Sequence, residues 1–95
     1  MDMDTPSRSA LSAAFAEQLR AERAARRLSR AELAKASGVS AKAIQRLEEN
    51  EREMDTDQLG RLCAALGLSA IDFVTRAETR RRNEPPAQAG ARTAR

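Results

Sequence analysis

The chain alternates between segments in which apolar residues recur every three or four positions and short breaks rich in polar residues or glycine. In the first such segment Leu11, Phe15 and Leu19 repeat at intervals of four, with alanine at many positions between them. This spacing places the apolar side chains on one face of an α-helix. The pattern therefore predicts a first, amphipathic helix over residues 10–27.

Residues 29–49 carry the signals of two short helices that meet at a tight turn. Ser29 and Glu32 have the spacing of a capping box, in which each side chain accepts a hydrogen bond from the backbone amide of the other residue. Gly38 favours the left-handed conformation that ends a helix, because it has no β-carbon to clash. Ser40 is then in place to cap the next helix.

The helix predicted over residues 40–48 has two different faces. Ile44 and Leu47 share one face with Ala43, which suits packing against a core. The opposite face carries side chains that can reach base edges in duplex DNA: Ala41, Lys42, Gln45 and Arg46.

The pattern predicts two more helices toward the C-terminus. The fourth follows the capping segment 55–57, ends at Gly67, and has four apolar residues at helical spacing: Leu59, Leu62, Cys63 and Leu66. The fifth begins after Ser69 and carries Ile71, Phe73 and Val74. Phe73 is expected either in the core or at a contact between two subunits.

Composition narrows the fold to a small helical bundle. A chain of 95 residues has room for one domain with a modest core, and an aromatic content of 2% means that aliphatic residues and alanine must build it. Cys63 is the only cysteine, so it can form no internal disulfide and is expected to be a small core residue in a reducing cytoplasm. Residues 1–9 lack the apolar core of a signal peptide, and no run approaches the ~20 apolar residues that a membrane span needs.

The net charge of +3 is concentrated at the C-terminal end of the chain. From residue 76 onward there are six arginines and two glutamates, so this end carries +4 and residues 1–75 carry −1. Consecutive arginines followed by Pro85, Pro86 and small residues cannot bury enough apolar surface to fold. Residues 81–95 are therefore predicted to form a disordered basic tail, which is either simply solvated or used as an arm on DNA.

The order of these signals resembles the lambda-type repressor and Cro family of helix-turn-helix regulators, also called the XRE family. The likeness covers roughly 60 of the 95 residues, far more than a single short motif would. It is carried by residues before, within and after the motif: Phe15, Leu19, Arg23, Leu28, Ser29, Glu32, Leu33, Ala34, Gly38, Val39, Ser40, Ile44, Leu47, Glu48, Leu59, Leu62, residues 65–69, Ile71 and Phe73. The resemblance implies an all-α fold, a compact five-helix lambda-repressor-like DNA-binding domain over residues 10–80, with a disordered N-terminus at residues 1–9.

The resemblance also implies which residues contact DNA. The family's base-reading positions correspond to Ala41, Lys42, Gln45 and Arg46, on a recognition helix that lies in the major groove. Its phosphate-binding positions at helix starts correspond to Arg30 and Ser40. In the loop after the motif, Asn50 and Arg52 are the residues expected to approach phosphate.

One ion pair is also expected from the resemblance. The family's arginine at the position of Arg23 pairs with the glutamate at the position of Glu48, which would tie the first helix to the end of the recognition helix. The other arginines near the end of the first helix are expected to lie on a solvated face: Arg20, Arg26 and Arg27.

Two segments depart from the family pattern. Arg27 stands where many members have glycine or asparagine, so the turn before Leu28 is expected to be strained or differently shaped. Residues 48–55 contain four glutamates where the family commonly has glycine and basic or small polar residues near the phosphate backbone. Three interpretations stay open: the loop turns away from DNA, the protein binds DNA weakly, or the acidic surface binds a protein partner.

Together these features predict sequence-specific binding of double-stranded DNA by a bacterial or phage-encoded transcriptional regulator. One recognition helix reads few bases, so a homodimer on an inverted-repeat operator is expected, usually as a repressor, with activation also open. The alternative is an antitoxin-like protein that autoregulates its promoter and binds a partner through the tail or the acidic loop 48–57. An enzyme is disfavoured because there is no histidine or tyrosine and no metal-ligand or phosphate-loop spacing, and no cofactor or metal is expected.

Overall fold

The computed structural model describes residues 9–83, and this part of the chain forms five α-helices and no β-strand. Their bounds are α1 Ala10–Ala25, α2 Arg30–Ser37, α3 Ala41–Glu48, α4 Thr56–Leu66 and α5 Ala70–Asn83. The predicted all-α, five-helix fold is confirmed. None of the five helices is long and apolar enough to cross a membrane.

Short polar side chains begin all five helices, at Ser9, Ser29, Ser40, Asp55 and Ser69. The box at the start of α2 is complete, because Glu32 N donates to Ser29 Oγ over 3.0 Å and Ser29 N donates to Glu32 Oε1 over 2.8 Å. α2 then ends at Gly38, which has a φ of +79°. A serine N-cap such as Ser29 typically contributes about 1 kcal/mol to the stability of the protein. The local signals therefore fix where the two helices of the motif begin and where they meet.

Three element boundaries differ from the prediction. Ser9 caps α1 and so belongs to the domain instead of the N-terminal segment, and α1 ends at Ala25 with Arg26 as its C-cap. At the other end α5 continues to Asn83, three residues beyond the expected domain boundary at residue 80. The rest of the two segments predicted to be disordered, residues 1–8 and 84–95, lies outside the described residues.

The apolar core is enclosed by all five helices. Its buried members are Leu19, Leu33, Val39, Ile44, Leu47, Leu62, Cys63, Leu66 and Phe73. Phe73 is 1% exposed and packs edge-on against Phe15, with ring centroids 5.3 Å apart, so its predicted core position is confirmed. Cys63 is also buried, and burial followed by the charge of Glu22 raises the pKa of its thiol.

A polar network that the sequence pattern did not reveal joins α1 to α5. The buried carboxylate of Glu22 accepts hydrogen bonds from Arg26 at 2.7 Å, Arg76 at 2.8 Å and Gln18 at 2.7 Å, while Gln18 Oε1 accepts from Arg80 Nε at 3.0 Å. Burial by itself raises the pKa of Glu22, but these bonds outweigh it and the pKa lies below the ordinary value. The expectation of a solvated Arg26 was wrong, because its guanidinium satisfies a buried acid. The same contacts hold the second half of α5 against α1.

Candidate nucleic-acid interface

α3 presents its polar side chains outward and its apolar side chains inward. Ile44 is 0% exposed and Leu47 is 3% exposed, and both lie in the core. The opposite face is open to solvent along its whole length, at Ala41, Lys42, Gln45 and Arg46. Among these four, Gln45 has a long hydrogen bond of 3.4 Å to Glu49, which is weak enough to be exchanged for another partner. The geometry gives α3 a solvent-facing polar edge on a helix whose other face is buried in the core.

Glu48, the last residue of α3, is the buried anchor of this edge. Arg23 donates to its carboxylate twice, from Nε to Oε2 at 2.6 Å and from Nη2 to Oε1 at 2.8 Å. The side chain of Glu48 is 0% exposed and that of Arg23 is 18% exposed. Arg23 Nη1 also donates to the carbonyl of Leu28 at 3.0 Å, so the ion pair holds the α1–α2 turn as well as the end of α3.

Arg30 is a second cation on the same carboxylate. Its Nε donates to Glu48 Oε1 at 3.0 Å, and its side chain is 35% exposed. Burial by itself raises the pKa of Glu48, but the hydrogen bonds from Arg23 and Arg30 outweigh it and the pKa lies below the ordinary value. The family resemblance implied a phosphate contact for Arg30. It gave no indication of this bond to Glu48, which lies on a different helix.

Arg20 of α1 is a third arginine that binds Glu48, through the backbone of that residue. Its Nη1 donates to the backbone carbonyl of Glu48 at 2.9 Å, and its Nη2 pairs with Glu17 at 2.7 Å. The side chain of Arg20 is 41% exposed, as a solvated arginine would be, but it also satisfies a carbonyl at the end of α3 that has no partner within the helix. Three arginines from α1 and α2 therefore fix both the backbone and the side chain of Glu48.

The other three residues predicted to contact phosphate, Ser40, Asn50 and Arg52, differ in exposure and in hydrogen bonding. Ser40 is exposed, and its hydroxyl accepts from Ala43 N at 3.0 Å as the N-cap of α3. Asn50 has a φ of +57°, and its Oδ1 accepts from Ser12 Oγ at 2.9 Å, so this side chain attaches the loop to the start of α1. Arg52 is exposed. The structure thus brings Ser40 and Arg52 to the surface and gives Asn50 a structural bond.

The acidic loop after α3 is less acidic at its surface than its sequence suggests. Glu48 is buried and paired with two arginines, so it does not add to the surface charge of the loop. The other three glutamates of residues 48–55 are exposed: Glu49, Glu51 and Glu53. The loop contributes exposed negative charge beside the end of α3.

The turn between α1 and α2 has the strained backbone that the family comparison suggested. Arg27 has a φ of +55°, in the left-handed region that favours glycine, and its side chain is exposed. Its amide donates to the carbonyl of Ala24 at 3.0 Å. The turn keeps its shape despite an unsuitable residue, because the Arg23 bond to Leu28 holds it from the other side.

Comparison with known proteins gives two kinds of match. A family model described as helix-turn-helix matches residues 19–73, which run from the middle of α1 to the first turn of α5. A crystal structure of the clp gene regulator ClgR from C. glutamicum is 33% identical, with a TM-score of 0.68, and the match covers 79% of this chain and 94% of that one. No curated protein matches.

A second crystal structure of the same regulator, from Corynebacterium glutamicum, is 31% identical with a TM-score of 0.73, over 90% of this chain and 86% of that one. The family match spans more than half of the sequence and includes both helices of the motif, α2 and α3. The chain therefore belongs to the XRE-type helix-turn-helix family of DNA-binding transcriptional regulators.

Proposed function

We propose that this regulator reads an inverted-repeat operator as a homodimer, with α3 of each subunit in the major groove. The observation that supports this most strongly is the exposed polar edge of α3, a helix anchored by Ile44, Leu47 and the buried Glu48. A helix presented in this way fits the major groove, where each base pair shows a distinct pattern of donors and acceptors. The usual regulatory outcome is repression, by occupation of a promoter.

Each exposed residue of α3 has a base contact that suits its chemistry. Arg46 can donate two hydrogen bonds to guanine, and Gln45 can pair with adenine after releasing its weak contact with Glu49. Lys42 can donate to guanine or to a phosphate, and the methyl group of Ala41 can contact the methyl group of thymine. A good bidentate contact discriminates against the wrong base by about 1–3 kcal/mol. Around this face we assign phosphate contacts to Arg30, Ser40, Asn50 and Arg52.

The proposed dimer surface is the exposed apolar side of α5. Ile71 is 76% exposed, the most exposed large hydrophobic residue of the described part of the chain. It lies beside Ala70, Val74 and Thr75 in a shallow apolar depression. Pairing two such surfaces about a twofold axis removes them from water and sets two recognition helices side by side. Half-sites about 34 Å apart then follow from one turn of B-DNA.

Selection from random duplexes, followed by footprinting, tests this function. The expected result is an enriched inverted repeat whose two half-sites are protected on one face of the DNA. Because both structural neighbours are named as clp gene regulators, duplexes from upstream of clp genes are the first natural sequences to include. Enrichment of a single, asymmetric half-site would contradict the homodimer, and no enrichment would contradict sequence-specific binding.

A second candidate function is supported by the exposed acids after α3. Glu49, Glu51 and Glu53 would repel phosphate, but they suit a basic partner protein, as in an antitoxin-like regulator. Replacing all three by glutamine separates the two functions. If the loop only borders DNA, the variant binds random duplex more tightly; if it binds a partner, the variant loses that partner while operator selectivity is kept.

A further inference from the structure

Glu48 binds two arginines, Arg23 and Arg30, whose surroundings differ. This difference suggests that Glu48 has a role beyond the ion pair with Arg23 that the family resemblance implies. Arg23 gives three nitrogens to protein acceptors, two contacts to Glu48 and one to the carbonyl of Leu28, and its side chain is 18% exposed. Arg30 bonds Glu48 through Nε alone, and its side chain is 35% exposed. Within residues 9–83, Glu48 is the only hydrogen-bond partner of the Arg30 side chain.

A guanidinium is rigid and flat, so a hydrogen bond at Nε limits the directions in which its two terminal nitrogens can point. The carboxylate that holds Arg30 is itself fixed, since Arg23 binds both of its oxygens and Arg20 binds the backbone carbonyl of the same residue. The position of Arg30 is therefore set by a buried acid at the end of the recognition helix. A bond to one oxygen leaves the terminal nitrogens of Arg30 for an external acceptor.

We infer that Glu48 is a positioning residue for DNA binding, which orients Arg30 so that its terminal nitrogens meet a backbone phosphate. This inference rests on the proposed function and assigns different roles to the two arginines that bind Glu48. Arg23 fixes the fold, Arg30 contacts the phosphate, and the one carboxylate between them sets the register of that phosphate contact relative to α3. The benefit is that a long side chain no longer has to be ordered when DNA binds.

A double-mutant cycle on DNA affinity tests the inference. The four proteins are wild type, Glu48→Gln, Arg30→Gln and the double variant, and the probe is a random-sequence 20-base-pair duplex, since phosphate contacts do not depend on sequence. Dissociation constants are measured from 50 to 200 mM salt, and thermal unfolding is recorded for each protein. Glutamine keeps the size of glutamate and an oxygen acceptor, so the change removes mainly the charge.

The sign of the Glu48→Gln effect separates three explanations. If Glu48 positions Arg30, the change weakens binding by about two- to tenfold when Arg30 is present, the range expected for fixing one long side chain. In the Arg30→Gln background the same change has no effect or strengthens binding. If Glu48 acts only as a nearby negative charge, its removal strengthens binding in both backgrounds. If it only supports the fold, its removal weakens binding equally in both.

The Arg30→Gln variant tests the premise that Arg30 contacts a phosphate. It is expected to reduce the slope of log affinity against log salt by about 0.9 per subunit, the value for one lost phosphate contact. If wild type binds the duplex and this slope is unchanged, Arg30 is not at a phosphate and the inference fails while the DNA-binding function stands. If wild type shows no salt-dependent binding, the proposed function itself fails.

Arg30→Lys keeps the test decisive if Glu48→Gln does not fold. Lysine retains the charge but has a single nitrogen, so it cannot hold Glu48 through one nitrogen while presenting others in a fixed plane. Binding of random duplex is expected to weaken by about two- to tenfold, as for Glu48→Gln. Wild-type affinity in Arg30→Lys would overturn the positioning role, because charge alone would then be sufficient.

Discussion

Replacing Arg27 with glycine is expected to stabilise the protein. The φ of Arg27 is +55°, and the left-handed conformation costs an L-residue about 1–2 kcal/mol relative to the right-handed one. Glycine avoids this cost, but its greater freedom in the unfolded chain offsets about 0.5–1 kcal/mol. The side chain of Arg27 is exposed, so little packing is lost when it is removed. With the middle of each range, about 1.5 and about 0.75 kcal/mol, the net gain in the free energy of unfolding is about 0.75 kcal/mol.

Thermal unfolding followed by circular dichroism measures this gain. For a domain of this size, 1 kcal/mol corresponds to about 4–8 °C, so the expected rise in Tm is about 3–6 °C. Arg27→Ala is the matched control, because it removes the same charge and the same long side chain but keeps the β-carbon that causes the strain. It is expected to leave Tm close to that of wild type, and Arg27→Asn is expected to fall between alanine and glycine.

The order of these three variants tests the physical reason for the effect. Arg27 follows Arg26 directly and lies near Arg23, so relief of repulsion between positive charges is the competing explanation. Charge relief would raise Tm equally in the alanine and glycine variants. Equal stabilisation by alanine would therefore refute the argument from backbone conformation, and a loss of stability with glycine would refute it outright.

Three further outcomes are expected. Arg46→Ala should relax the preference at one position of each half-site while leaving helicity intact, and unchanged selectivity in a randomised-site binding assay would remove Arg46 from the base-reading set. Ile71→Lys should weaken the dimer by on the order of a hundredfold or more in sedimentation velocity, since burying two isoleucines contributes about 3–6 kcal/mol; wild-type association would place the interface elsewhere. The folded-state pKa values of Glu22 and Glu48 are lowered, so both add stability that is present above the ordinary glutamate pKa of about 4.3 and is lost as pH falls through the lowered values. Urea unfolding from pH 7 to 3 should show this loss, and Glu22→Gln should reduce it; the same pH dependence in both proteins would be inconsistent with a stabilising Glu22 carboxylate.

The features that depend on near neighbours in sequence could be predicted without a structure. The Ser29 and Glu32 box links residues three apart, and the inward face of α3 follows from the spacing of Ile44 and Leu47. The strain at Arg27 was also visible, because the family uses glycine or asparagine there. In each case the decisive interaction lies within one helix or one turn.

The polar interactions between helices could not be predicted in the same way. Arg76 and Arg80 bond to Glu22 and Gln18 across 54 and 62 residues of sequence, and nothing local distinguishes these arginines from solvated ones. One signal was present on the other side, since Gln18 and Glu22 share a face of α1 with Phe15 at helical spacing. Polar side chains on the buried face of a helix need hydrogen-bond partners, and Arg76 and Arg80 of α5 are the partners here. These bonds hold α5 against α1 as far as Arg80.

The most direct test of the central claim is an NMR titration of the labelled protein with a selected operator duplex. If α3 reads the DNA, the largest chemical-shift changes fall on the exposed face of α3 and at the start of α2, including Lys42, Gln45, Arg46 and Arg30, with the core of the bundle unchanged. Changes confined to α5, with α3 unaffected at saturation, would show that DNA binds a different surface and would contradict a recognition role for α3.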